Sequence, residues 1–254
     1  MKIGKVESYL LRKINEEGAI HLALIDPDKT SPEEAKRIAN FCKHAGSAAI
    51  MVGGSIGVSE AIMDEVVMAV KNAGLPTIIF PSGATTLTRH ADAIWFMSLL
   101  NSTNTYYLID AQMMGAAIVR KYQLEAIPMG YIVVSGDSTV GFVGQVRPIP
   151  LSRPEIISLY ALTAQYLGMR FVYLEGGSGA KEPIPPEVVS KVRSTVDIKI
   201  VVGGGIRSRE DARQLTKAGA DIVVTGTVIE EDAERALPEI IEGVKEGVRL
   251  RGAP

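Results

Sequence analysis

The chain has one cysteine, Cys42, among 254 residues. A disulfide framework and a cysteine-rich metal site are both excluded, and a reducing compartment is the natural setting. Cys42 lies in an apolar helical pattern, where a small buried side chain is expected. Histidine is almost as scarce. His21, His44 and His90 share no metal-type spacing, so each is read as structural. An excess of one charge is also missing: 27 Lys and Arg face 29 Asp and Glu, a formal net charge of −2. With no basic run either, no nucleic-acid partner is expected. No apolar stretch reaches the roughly 18 residues that span a bilayer. The longest, 91–100, is interrupted by Asp92. The N-terminal KIGKVESYLLRKINEEG is amphipathic, without the apolar centre or cleavage site of a leader. These absences predict a cytoplasmic protein with no transmembrane segment.

What the sequence does have is a series of short apolar segments. Residues 19–25, 48–52, 77–80, 93–99, 131–134, 170–174, 198–202 and 221–225 are rich in Ile, Val and Ala and mostly lack polar alternation. Strands buried on both faces read this way. Helical patterns follow at 32–45, 58–73, 106–122, 154–167, 186–192, 208–218 and 230–246. The first has a full start signal: Ser31 as N-cap, Pro32 at the first helical position and Glu34 three after the cap. After Phe80, PSGATTLTRH has β-branched threonines and no apolar period, so one helix of the repeat is expected to be missing. No linker or composition break divides the chain. The predicted architecture is one domain, 1–254, folded as an α/β, (β/α)8 barrel of the TIM type. The alternative is an open doubly wound sheet, but the first strand lacks the GxGxxG of its dinucleotide-binding version.

Three predicted strands end in glycine: YLEGGSGA (173–180), VVGGGIRS (201–208) and VTGTVIEED (224–232). They would close strands six, seven and eight and so lie side by side on the rim. Glycine lets backbone approach a ligand closely, and successive amides can cradle an anion. A phosphate site after strands seven and eight is a recurring barrel feature. Tight turns alone would also use these glycines, but two clusters one βα unit apart favour phosphate.

Acids end other strands. Asp26 closes the first strand although Ser31 already caps the following helix, and Ser55 follows the second strand. A strand-end carboxylate beside a hydroxyl suits magnesium, which keeps waters and takes further ligands from a substrate phosphate. Turn initiation by Asp-Pro is the competing reading for Asp26. Glu175 closes strand six beside the glycines, where a general base toward a ligand hydroxyl would sit. A salt bridge is its structural alternative. Tyr173 shares that strand face. Trp95, Phe96, Tyr106 and Tyr107 line an apolar slot or belong to the core. Phe142 is either an interface residue or a core residue.

Together these elements closely resemble the geranylgeranylglyceryl phosphate synthase family. HLALIDPDK, AIMVGGS, FMSLLNS, GYIVVSGDSTVG, YLEGGSGA, VVGGGIRS and VVTGTVI stand in the family's order along essentially the whole chain. The DSTVG segment looks like the second of its two groups. The resemblance implies a modified barrel whose third helix is replaced by irregular or extended chain. It implies a prenyl transfer from geranylgeranyl diphosphate to sn-glycerol 1-phosphate, with Mg2+, by homo-oligomers that are dimers or hexamers. It places magnesium at Asp26 and Ser55. The glycerol phosphate is placed at Tyr173, Leu174, Glu175, Gly176, Gly177, Ser178, Gly179, Gly204, Gly205, Gly226 and Thr227. Glu175 and Tyr173 are the candidate catalytic pair, as base and as aromatic face for an allylic cation. Bacterial relatives that use heptaprenyl diphosphate carry lysine where Leu24 stands, which favours the archaeal type. Three other readings stay open: the same transfer from a longer prenyl diphosphate such as heptaprenyl, a phosphosugar-handling biosynthetic barrel, and a non-catalytic phosphate-binding scaffold.

Overall fold

The apolar segments do form strands, and the strands close on one another. A computed structural model describes residues 2–54, 57–134 and 137–251. The strands are β1 (Ile20–Ile25), β2 (Ala49–Gly53), β3 (Thr77–Phe80), β4 (Ala93–Leu99), β5 (Glu125–Val133), β6 (Phe171–Glu175), β7 (Lys199–Gly203) and β8 (Ile222–Thr225). Each pairs in parallel with the next, and β8 pairs with β1, giving a closed barrel. The helices are α1 (Lys5–Glu17), α2 (Pro32–Ala45), α3 (Glu60–Lys71), α4 (Ala111–Tyr122), α5 (Thr139–Val143), α6 (Pro154–Tyr166), α7 (Pro186–Arg193), α8 (Arg209–Lys217) and α9 (Thr227–Leu250). The expected start of α2 is present, with the Ser31 hydroxyl accepting from the Glu34 amide at 3.3 Å.

Alternate residues of each strand face in or out. Leu22, Met51, Ile78, Trp95, Met129 and Phe171 fill the barrel interior. Ala23, Ile50, Ile79 and Ile94 face the surrounding helices instead. The lower end is closed by α1, whose Val6, Leu10 and Ile14 join the interior cluster. Gly4 precedes this helix and offers no side chain to its open amides. The Glu125 carboxylate takes that role, accepting from the Val6 and Glu7 amides at 2.7 and 2.8 Å. Arg170 pairs with buried Glu7 beside it.

The predicted gap in the repeat is there. Between β3 and β4 the chain makes only a short 3-10 turn, Ala84–Thr86, among irregular backbone. This has a consequence for the barrel wall. β3 and β4 pair only at Ile78↔Ala93 and Ile79↔Ile94, whereas β4 stays paired with β5 from Ala93 to Leu99. Residues 96–99 therefore extend past the end of β3.

Three boundaries differ from expectation. β5 begins at Glu125 rather than at 131, because Pro128 and Gly130 hide strand character. Gly130 is needed for close packing, since a Cβ there would meet the Ala164 Cβ at 2.7 Å. The helix expected at 106–122 opens with a π-helical turn, Tyr106–Asp110, before α4. α9 begins at Thr227 rather than at 230 and kinks at Asp232, whose backbone is non-helical.

His21 ties two strand ends together. Its ring nitrogens lie 2.9 Å from Ser47 Oγ and 2.8 Å from Thr225 Oγ1, one donating and one accepting. Burial lowers its pKa from 6.5 to about 3, so the folded chain holds it neutral. The stabilisation from this neutral ring is complete above pH 6.5 and is lost progressively as pH falls toward 3. Full protonation would cost about 5 kcal/mol from this residue. Urea unfolding of the wild type is therefore expected to weaken below pH 6.5, more steeply than for His21→Gln. Parallel pH dependences in the two proteins would contradict this account.

Candidate active site

The upper rim is built by the loops after the strands, and the glycines there are demanded by sterics. A Cβ on Gly203 would overlap the Tyr173 hydroxyl. Gly204 has φ +89°, and a Cβ there would meet the Gly177 amide nitrogen at 2.7 Å and Glu175 Oε1 at 2.8 Å. The clusters after β6 and β7 thus interlock around one carboxylate.

Glu175 is only 6% exposed. The Gly177 amide donates to its Oε1 at 2.6 Å, and the Tyr131 hydroxyl donates to its Oε2 at 3.1 Å. Burial pushes its carboxyl above the usual carboxylate range, opposed by these donors and by the Tyr173 hydroxyl. Among the described residues, these donors and not a salt bridge, its structural alternative, hold Glu175. Three aromatic rings stand beside it. Phe80, Tyr131 and Tyr173 form a triangle with centroid separations of 5.7, 5.5 and 5.4 Å. Such faces attract a cation. Tyr131 and Phe80 were not singled out from sequence. Tyr131 opens the apolar segment 131–134 and is directly paired with Tyr173 across β5 and β6, so the signal lies in the pairing register of the two strands.

One cavity of about 430 Å³ joins these groups, a size typical of small-molecule sites. At one end it is lined by Ser178, Gly179, Gly204, Gly205, Gly226 and Thr227. Four other predicted residues stand differently. Gly176 and Gly177 give their amides to Gly203 O and Glu175, so they shape the loop. Leu174 is buried in the outer apolar layer and does not line the cavity. Tyr173 is wholly buried but lines it with its ring.

At another side the cavity reaches Asp26, Lys29 and Glu230. Asp26 does have a structural task. Its Oδ1 accepts from the Asp28 amide at 3.0 Å, the turn that Asp-Pro favours. Its Oδ2 is 3.3 Å from Lys29 Nζ. Its amide donates to Glu230 Oε1 at 3.0 Å. Glu230 was not anticipated, because its helix was expected to start there rather than one turn earlier. Ser55, the other predicted metal residue, lies outside the described residues. Among the described residues, no three His, Cys, Asp or Glu side chains cluster as a protein-only metal site. One or two carboxylates at the wall of a phosphate-sized cavity still fit magnesium, which draws its other ligands from water and substrate.

The third part of the cavity is apolar. Its lining residues lie on both faces of β4: Trp95 and Leu99 inside, Ile94 and Phe96 outside. The cavity therefore leaves the barrel where β4 outruns β3 and enters the space of the missing helix. Leu87, Ile94, Phe96, Gly115 and Val119 wall this arm. Trp95 also packs edge-on against Phe171 at 5.2 Å, as a core residue would. Tyr106 and Tyr107 contact each other at 5.0 Å and line the cavity from the π turn.

The fold and this site define a phosphate-handling barrel enzyme with an apolar arm. The PcrB family profile matches residues 12–244, and the chain belongs to that family. A geranylgeranylglyceryl phosphate synthase from Thermofilum pendens is 53% identical over 251 residues, covering 98% of each chain. Another from Pyrococcus abyssi is 51% identical over 251 residues, covering 96% of this chain and all of that one. The crystal structure of (S)-3-O-geranylgeranylglyceryl phosphate synthase from Thermoplasma acidophilum with sn-glycerol-1-phosphate superposes with a TM-score of 0.91 at 41% identity. It covers 96% of this chain and 100% of that one.

Proposed function

We propose that the protein joins sn-glycerol 1-phosphate to the geranylgeranyl group of geranylgeranyl diphosphate, in a magnesium-dependent ether-forming step. The observation that carries this reading is the position of Glu175 and the three rings, at the junction of a glycine-lined end and an apolar arm. The glycine-lined end, including the first turn of α9, suits the phosphate of glycerol 1-phosphate. The arm suits the prenyl chain, whose burial is favourable at about 25 cal/mol per Å².

The residues would then act as follows. Backbone amides hold the glycerol phosphate so that its terminal hydroxyl lies near Glu175, and such positioning supplies a large share of the barrier reduction. The allylic C–O bond to diphosphate breaks as the glycerol oxygen bonds to that carbon. The hydroxyl proton passes to the Glu175 carboxylate. Tyr131, Tyr173 and Phe80 face the positive charge that builds on the allylic carbon. Asp26, with Glu230 beside it, would hold magnesium, which when bound neutralises the leaving diphosphate.

Incubation with magnesium and both substrates is expected to yield an organic-soluble phosphate. Its absence would refute the reading. Asp26→Asn is expected to raise the half-saturating magnesium concentration at least about tenfold, the loss of one charged ligand contact. An unchanged magnesium titration would remove Asp26 as a ligand. The protein is further proposed to be a cytoplasmic homo-oligomer, a dimer or hexamer. Exposed apolar side chains support that: Phe142 is 85% exposed rather than core, and Leu159 and Tyr166 on α6 and Leu167 just after it are exposed.

A further inference from the structure

The segment that stands in for the missing helix, residues 81–92, walls the apolar arm through Leu87. A barrel helix would be held in this place by an apolar stripe. The segment has no such stripe, and across the arm Leu87 faces Gly115, which has no side chain to brace it.

The residues after Leu87 supply polar ties instead. Thr88 is fully buried. Its hydroxyl donates to Asp64 Oδ1 on α3 and accepts from the His90 amide at 3.1 Å. His90 Nε2 lies 3.8 Å from the other Asp64 oxygen. Arg89 reaches a different helix: its guanidinium lies 4.9 Å from the ring centre of Tyr122, the last residue of α4. The Tyr122 hydroxyl donates to Glu60 Oε1 at 2.7 Å, one turn before Asp64 on α3. The segment, α3 and α4 are thus joined in a polar ring, and none of these polar residues lines the cavity.

The ties differ in strength. Arg89 and Glu60 are exposed, and contacts of exposed charges contribute little. The Thr88 bond runs from a buried hydroxyl to a carboxylate, which is the stronger, charge-assisted kind. Leaving that hydroxyl unpaired would carry the full desolvation penalty.

We propose that the Thr88–Asp64 bond is a latch that sets the width of the arm, which makes Thr88 a positioning residue for the choice of prenyl chain. It acts through Leu87, its neighbour in the wall. The inference rests on the prenyl-transfer reading and adds to it a determinant that lies outside the substrate cavity. Releasing the latch lets Leu87 withdraw, so a longer chain is admitted and the geranylgeranyl chain fits less closely.

The test compares wild type with Thr88→Val, Thr88→Ser and Asp64→Ala. Valine keeps the shape of threonine without its hydroxyl, and serine restores the hydroxyl. Asp64→Ala removes the acceptor at a half-buried helix position where alanine favours the helix, so it decides the matter if Thr88→Val does not fold. Trypsin cleavage after Arg89 reports release of the segment. Kinetics with geranylgeranyl and heptaprenyl diphosphates report selectivity. In both Thr88→Val and Asp64→Ala, cleavage is expected to quicken. The kcat/KM ratio of heptaprenyl over geranylgeranyl diphosphate is expected to rise about tenfold, the discrimination that a few methylenes carry in an apolar pocket. The change should lie in KM for the prenyl diphosphates, while kcat with geranylgeranyl diphosphate and KM for glycerol phosphate stay as in the wild type. Thr88→Ser should keep the wild-type ratio, and combining Thr88→Val with Asp64→Ala should shift it no further than either alone. An unchanged ratio, even with faster cleavage, would overturn the inference, as would additive shifts in the double variant. Absence of turnover in the wild type would refute the prenyl-transfer reading instead, so the two failures are distinct.

Discussion

Glu175→Gln is expected to lower turnover about 100- to 10,000-fold, the usual contribution of a general base. Gln keeps the length; its oxygen still accepts from the Gly177 amide, 2.6 Å from Oε1 in the wild type, and its NH2 donates to the Tyr131 hydroxyl, 3.1 Å from Oε2 there. Affinity for glycerol phosphate should therefore survive. The pH profile carries a second signature. Burial holds the Glu175 carboxyl above its ordinary value of 4.5, and the active form is the ionised one. Wild-type turnover should fall as pH drops through that raised value, on a limb lying above pH 4.5. The residual activity of Glu175→Gln should lack this limb. Near wild-type turnover in the variant would remove Glu175 as base.

Gly115→Leu is expected to change which prenyl chain the enzyme uses. Gly115 is buried on α4 at the arm, and a Cβ there would lie 3.6 Å from Leu87 Cδ1. Alanine therefore fits, and it should add roughly 1 kcal/mol of stability by replacing a mid-helix glycine. Leucine would occupy the arm itself. kcat/KM for geranylgeranyl diphosphate should fall at least about tenfold, with a smaller loss for shorter prenyl diphosphates, since a few methylenes in an apolar pocket give that order of discrimination. Equal losses at every chain length would mean that the arm does not hold the chain.

Much of this molecule is legible in its residues, for identifiable reasons. Strands buried on both faces have no polar alternation to obscure them, so the eight-strand pattern stands out. The absent helix shows in PSGATTLTRH because nothing there supplies a helical face. Asp26, Glu175 and the rim glycines are readable because chemistry in a barrel gathers at strand ends. What escapes sequence is whatever depends on register. Tyr131 joins the site because the register of β5 on β6 sets it opposite Tyr173, and neither apolar segment by itself encodes that register. Glu230 joins it because α9 begins at Thr227 and turns that carboxylate toward Asp26. The apolar arm depends on a gap between two strands, β3 and β4, which no single segment encodes. Gly177 shows the converse: its place in a glycine run suggests a phosphate contact, yet its amide belongs to Glu175.

The most direct test follows one oxygen atom. sn-Glycerol 1-phosphate with a heavy oxygen isotope in its terminal hydroxyl is incubated with geranylgeranyl diphosphate, magnesium and the protein, and the products are weighed by mass spectrometry. The account predicts that the heavy oxygen appears in the ether linkage of a lipid phosphate and that the released diphosphate carries none. A free prenyl alcohol with unreacted glycerol phosphate, or an ether without the label, would contradict it.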